Sequence, residues 1–97
     1  MAADYQIVRD TMLAMRGINW ELSNEENIAV ENAVKTAVAR IQDIAGAAFL
    51  DVEDPDILDL VCNAAWYIRE QRWPEFLSGY SGDLTILRFK EALGSGG

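Results

Sequence analysis

Residues 54–73, DPDILDLVCNAAWYIREQRW, open and close like a helix and are apolar almost all the way round. Asp54 is placed to cap, Pro55 suits the first helical position, and Asp56 lies beside the positive end of the helix dipole. Pro74 disfavours helical geometry at Trp73 and cannot donate one turn back, which predicts an end near Arg72. At about 100° per residue, Asp56, Asp59, Asn63 and Glu70 form one narrow polar stripe. Ile57, Leu58, Leu60, Val61, Cys62, Ala64, Ala65, Trp66, Tyr67 and Ile68 occupy nearly all the rest. So wide an apolar arc needs cover on two sides. Either the chain's other helices supply both, making this a central core helix, or one side, around Cys62, Trp66, Arg69 and Trp73, packs against a neighbouring chain.

Towards the N-terminus, Ser23 and Glu26 have the spacing of a reciprocal capping box. After them, Val30, Ala33, Val34, Ala37, Val38, Ile41, Ile44 and Ala45 fall on one broad side of a helix that Gly46 stops. Glu31 precedes Lys35 by four residues, the favourable order for a helical ion pair. Earlier still, Tyr5, Val8, Met12 and Met15 recur at helical steps between Asp4 and Arg16, and Gly17 follows as a stop. Towards the C-terminus, Gly79, Ser81 and Gly82 predict a turn, and Asp83 can cap a last short helix, LTILRFKEAL. LTILRF also suits a strand by its content, but no second convincing strand is there to pair with it. The expected fold class is all-α: a small bundle of about four helices with a long central third helix. It forms a single domain over residues 1–93, followed by a flexible tail, GSGG, over 94–97.

Size and charge narrow the function. A chain of 97 residues makes one small domain, burying roughly 60–70% of the surface its unfolded form exposes. Sixteen Asp and Glu against eight Lys and Arg give a net charge of −8, without the cationic field that holds phosphate backbones. With no His and a single Cys, neither an internal disulfide nor a zinc site is expected. Cys62 sits in an apolar helix with no activator and reads as packing. The acidic run Asp51, Glu53, Asp54, Asp56, Asp59 fails as a calcium loop, because Asp56 stands where glycine is needed and Cys62 where glutamate is needed. The glycine-serine stretches lack a phosphate-loop lysine. No catalytic residue, metal ligand or cofactor is therefore expected, and the chain reads as not an enzyme. No export signal or membrane span is legible either, so synthesis in the cytoplasm is expected.

Five of the nine aromatic residues, Trp66, Tyr67, Trp73, Phe76 and Tyr80, lie within residues 66–80 together with Arg69 and Arg72. Trp, Tyr and Arg are the types favoured at the centres of buried interfaces. The candidate contact residues for a neighbouring subunit are Trp66, Arg69, Arg72, Trp73, Phe76 and Tyr80. The cluster can also lock the last helix onto the core. The acidic stripe of the third helix and the arginines 69, 72 and 88 are candidate complementary patches.

Residues 31–46, ENAVKTAVARIQDIAG, then an acidic loop, then NAAWYIREQRWPEFLSGYSGDLTILRF at 63–89, resemble the small helical head-tail connector, or adaptor, proteins of tailed bacteriophages. The likeness rests on Trp66, Tyr67 and Arg69 late in the long helix, the step Pro74, Glu75, Phe76, the aromatic Tyr80, and Asp83 and Leu84 ahead of Leu87 and Arg88. It covers about two thirds of the chain, and its motifs are packing residues. The resemblance implies a structural virion protein at the head-tail junction, forming a dodecameric homo-oligomeric ring beneath the portal protein. It implies docking on the portal through the C-terminal end, with Arg88, Phe89 and Leu93 as the docking residues, and a further contact with the next tail or head-completion protein. DNA would pass through without sequence-specific binding, past an acidic wall that repels phosphates. The other reading is an acidic helical protein-binding module, a small regulator or inhibitor whose aromatic patch grips one partner.

Overall fold

A computed structural model describes residues 5–18, 21–47 and 49–96, with side chains through residue 93. Asp4, where the first helix was expected to begin, Asn19 and Trp20 of the following loop, and Gly97 lie outside the described residues. Among the described residues there are five helices and no strand: α1 (Tyr5–Met15), α2 (Asn24–Ala45), α3 (Pro55–Arg69), α4 (Trp73–Gly79) and α5 (Ser81–Gly96). The segment LTILRF is helical, which excludes its reading as a strand.

Local chemistry sets most boundaries. The Ser23 hydroxyl accepts from the Glu26 N–H at 3.2 Å, while the Glu26 carboxylate accepts from the Ser23 N–H at 3.0 Å, the reciprocal box that starts α2. Asp54 accepts from the Asp56 N–H at 2.9 Å and Pro55 takes the first helical position of α3. Gly17 and Gly46 end α1 and α2 in the left-handed region, at φ 70° and 71°. After α1, the Ile18 N–H donates to the Leu13 carbonyl and the Gly17 N–H to the Ala14 carbonyl, the paired bonds that close a helix in a Schellman turn.

The end of α3 uses the same turn without a glycine. Gln71 sits at φ 59°, its N–H donates to the Ile68 carbonyl, and the Arg72 N–H donates to the Tyr67 carbonyl at 2.8 Å. α3 therefore stops at Arg69, three residues before the expected Arg72. Pro74 does not simply break the chain; it falls in the first turn of α4, where a missing N–H costs nothing. This short helix was not anticipated. The expected turn at Gly79–Gly82 is also only a kink: the Tyr80 N–H reaches the Phe76 carbonyl and the Leu84 N–H reaches the Tyr80 carbonyl. α5 begins at Ser81, ahead of Asp83, which lies in its first turn rather than capping it. α5 also takes in most of the glycine-serine end that was expected as a flexible tail.

α3 packs against α1, α2 and α4. Leu60, Val61, Cys62, Ala64 and Ala65 are buried in its middle, facing Val8 and Met12 of α1 and Val30, Val34, Ala37, Val38 and Ile41 of α2. Alanines on both α2 and α3 let backbones approach, and the Cys62 Sγ lies 3.5 Å from the Val8 carbonyl oxygen. The link between α2 and α3 also enters the core. Leu50 and Val52 are buried while Phe49, Asp51 and Glu53 are exposed, and the Asp54 N–H donates to the Asp51 carbonyl at 3.1 Å in the turn that leads into α3.

Candidate interaction surface

The α3–α4 corner is built around Phe76, which is fully buried. Its ring contacts Tyr67 at 5.9 Å between centroids, stacks on Trp73 at 5.0 Å, and stacks on Tyr80 at 4.6 Å. Tyr67 also meets Tyr80 edge-on at 6.1 Å. The turn at Gln71 brings this about, since it folds α4 back so that rings from two helices meet. Phe76 was expected at a subunit contact; its burial within its own chain corrects that assignment and makes it the pin that holds α4 and Tyr80 to α3. Aromatic pairs of this geometry contribute about 0.5–1.5 kcal/mol each beyond area burial.

Arginines clothe the outer faces of this corner. The Arg16 guanidinium from the end of α1 lies 4.6 Å from the Trp66 ring centre, and that of Arg69 lies 5.2 Å from it. Arg40 of α2 covers Trp73 at 4.9 Å, and Arg72 covers Tyr67 at 5.7 Å. Trp66 and Trp73 are thereby half-buried rather than enclosed. Arg72 is tied to Glu75, its Nε donating to Oε2 at 2.8 Å with Nη2 also in contact. This bond holds the Glu75 carboxyl below the usual carboxylate range. Arg69 Nη1 lies 3.6 Å from the Glu70 carboxylate, whereas Arg16 makes no ion pair among the described residues and only a long contact, 3.5 Å, to Asn63 Oδ1.

The six expected contact residues therefore divide. Tyr80, Trp73 and Phe76 belong to the internal ring cluster, with Tyr80 and Trp73 partly open, while Trp66, Arg69 and Arg72 reach the surface. Sequence reasoning missed Arg16 and Arg40, because nothing local ties them to aromatic rings on other helices. Cys62 is buried, and loss of hydration, helped by the nearby Asp59 carboxylate, pushes its thiol up to about 12, so it stays a neutral packing group.

A second surface lies on α5. Leu84 and Leu87 face inward, but Ile86, Phe89 and Leu93 are 56%, 65% and 75% exposed. At helical steps of three and four residues they form one outward stripe. Arg88 and Lys90 flank it without an ion pair among the described residues. Beside the stripe runs an open groove against the end of α2, with apolar walls from Ile44, Ala45, Phe89 and Ala92. Arg88, Phe89 and Leu93, the expected docking residues, are all exposed on this helix. Ile86 joins Phe89 and Leu93 on the stripe, and its spacing of three residues from Phe89 is the signal in the sequence.

Among the described residues no group of three or more Cys, Asp or Glu side chains is arranged to hold a metal ion, and no helix is long and apolar enough to cross a membrane. No protein-family model matches this chain, and neither curated proteins nor solved structures give a match.

Proposed function

We propose that this protein is a structural subunit of a head-tail connector ring in a tailed bacteriophage, resident in the virion between portal and tail. The observation that supports this reading is the presence of two unlike contact surfaces on one small helical domain. One is the arginine-clad tryptophan corner at the end of α3; the other is the Ile86–Phe89–Leu93 stripe of α5. A closed ring needs heterologous contacts, in which a patch on each copy meets a different patch on the next, and a ring that sits on another ring needs a separate surface for its template; the two surfaces supply one side of the first contact and the whole of the second. In this reading the tryptophan corner belongs to the contact between neighbouring copies. The α5 stripe, with Arg88 beside it, docks on the portal. α5 is already a helix, so its docking carries less ordering cost than the flexible tail expected from the sequence. The net charge of −8 keeps passing DNA from adhering to the ring.

Native mass spectrometry of the full chain, alone and with the portal ring, tests the reading. Capture of multiple copies on the portal is the expected result. A chain that stays monomeric and ignores the portal at high concentration would instead favour the acidic protein-binding module, for which a single apolar stripe on α5 suffices.

A further inference from the structure

We propose that the α2–α3 connection of one copy docks onto the Arg16–Trp66–Arg69 platform of a second copy, with Phe49 against the indole and Asp51 and Glu53 facing the guanidiniums; the proposal rests on the ring reading for its head-to-tail arrangement. The docking element is held in shape from beneath. Leu50 and Val52 are buried in the core, which anchors the segment and leaves Phe49, 49% exposed, Asp51 and Glu53 at the surface within five residues of one another. The Asp51 carboxylate is further fixed by accepting the Glu53 N–H at 3.1 Å. Neither acid makes an ion pair among the described residues. An apolar ring with two carboxylates beside it is thus presented on a short, anchored segment, which keeps the ordering cost of docking small.

The platform is its complement in both respects. Trp66 offers a half-open aromatic surface, and two cations lie over it. Arg69 already shares its charge with Glu70 at 3.6 Å and lies near Glu26. Arg16 has no carboxylate, so it is the cation with most to gain and the one on which the contact turns. Within one chain the two surfaces cannot meet. The connection precedes Pro55 at the start of α3, whereas Trp66 lies about 17 Å further along the helix axis. Joining them takes a second copy, and the ring reading supplies the head-to-tail arrangement in which each connection meets the platform of the next copy. Opposite charges at the two ends also select this pairing over like-with-like association.

The test is a charge exchange on the full chain at low salt, read by sedimentation velocity at concentrations up to millimolar. Arg16→Glu alone, and Asp51→Lys with Glu53→Lys, should each weaken self-association by about tenfold or more, the scale of a lost interfacial charge pair. All three positions are exposed, and unchanged thermal unfolding checks that each variant is folded. An equimolar mixture of the two variants, or one chain carrying all three substitutions, should regain association because every contact again pairs opposite charges. Variants that associate as well as the natural chain, or a mixture that regains nothing, overturn the contact while leaving the ring reading standing. A natural chain that stays monomeric at millimolar concentration overturns the contact as well. Regained association in chains that never close and never bind a portal supports the contact and removes the ring reading.

Discussion

α3 and α5 are nearly the same length, 15 and 16 residues, yet they have opposite fates. α3 is so apolar that its sequence predicts two covered sides, and it receives them from α1, α2 and α4. Its buried residues lie in the middle; Ile57 and Leu58 at the start and Trp66, Tyr67 and Ile68 near the end stay partly open, with arginines over Trp66 and Tyr67. α5 has a more mixed composition and touches the body on one side only, through Leu84 and Leu87. Its other apolar residues, fewer in number, face water. Unmet apolar surface therefore depends on how many neighbours a helix has, more than on how apolar it is. The greasiest helix is the scaffold, and a more modest one carries the larger exposed patch.

The contrast is broken most directly by Phe76 and Phe89. Phe76→Ala should destabilise the fold by about 3–5 kcal/mol, as for a fully buried phenylalanine, while Phe89→Ala should stay within about 0.5 kcal/mol. Urea denaturation measures both; equal costs would mean that α5 is covered after all. Next in size is binding. Replacing Phe89 and Leu93 together by alanine should weaken portal capture by about 30-fold, the scale of an interface hot spot, with unfolding unchanged. Retained capture by this variant would move the docking surface elsewhere.

Trp66→Ala and Trp73→Ala sharpen the division within the corner. Each removes a half-buried indole and should cost about 1–3 kcal/mol, below the range for enclosed tryptophans. Trp66→Ala should in addition weaken assembly of chains that remain folded. If both variants lost stability and still assembled normally, the corner would be core alone.

A smaller effect lies at the turn between α3 and α4. A non-glycine residue held at positive φ carries strain, so Gln71→Gly should raise stability by about 0.5–1 kcal/mol, visible as a higher urea midpoint. The smallest is the acid response. Accepting the Ser23 N–H, and to a lesser degree bonding with the Ser23 hydroxyl, holds the Glu26 carboxyl below its ordinary value of 4.5. A carboxyl with a depressed folded-state value adds stability above its unfolded value, and that stability fades as pH falls through the folded one. Unfolding followed below pH 4.5 should show this loss, and Glu26→Gln should flatten it.

The helices were largely legible in the residues. Ser23, Glu26, Gly17, Gly46, Asp54 and Pro55 act within four or five positions of themselves, so starts and stops follow from neighbours along the chain. The buried face of α2 was legible for the same reason, since periodicity alone separates Val30, Val34, Val38 and Ile41 from Glu31 and Lys35. The end of α3 was not. It is set by Gln71 in a conformation that glutamine seldom adopts, held where Phe76 gathers Tyr67, Trp73 and Tyr80. Of the surfaces, the aromatic corner was found as a cluster, but which members face outward was not. Phe76 and Tyr80 are both aromatics in one short stretch, and only packing decides that one is sealed and the other half-open.

The amino-acid sequence by itself determined the all-helical class, the stop of α1, the start and stop of α2, the start of α3 and the acidic charge, because capping, periodicity and charge are local or additive properties. Tertiary structure alone decided that Arg16 meets Asn63, 47 residues away along the chain, that Arg40 covers Trp73, and that Leu50 and Val52 enter the core while Phe49, Asp51 and Glu53 stay exposed. Those outcomes depend on which helix faces lie against each other, and burial of the shared core at Val8, Ile41, Val61 and Phe76 sets that for the whole chain at once.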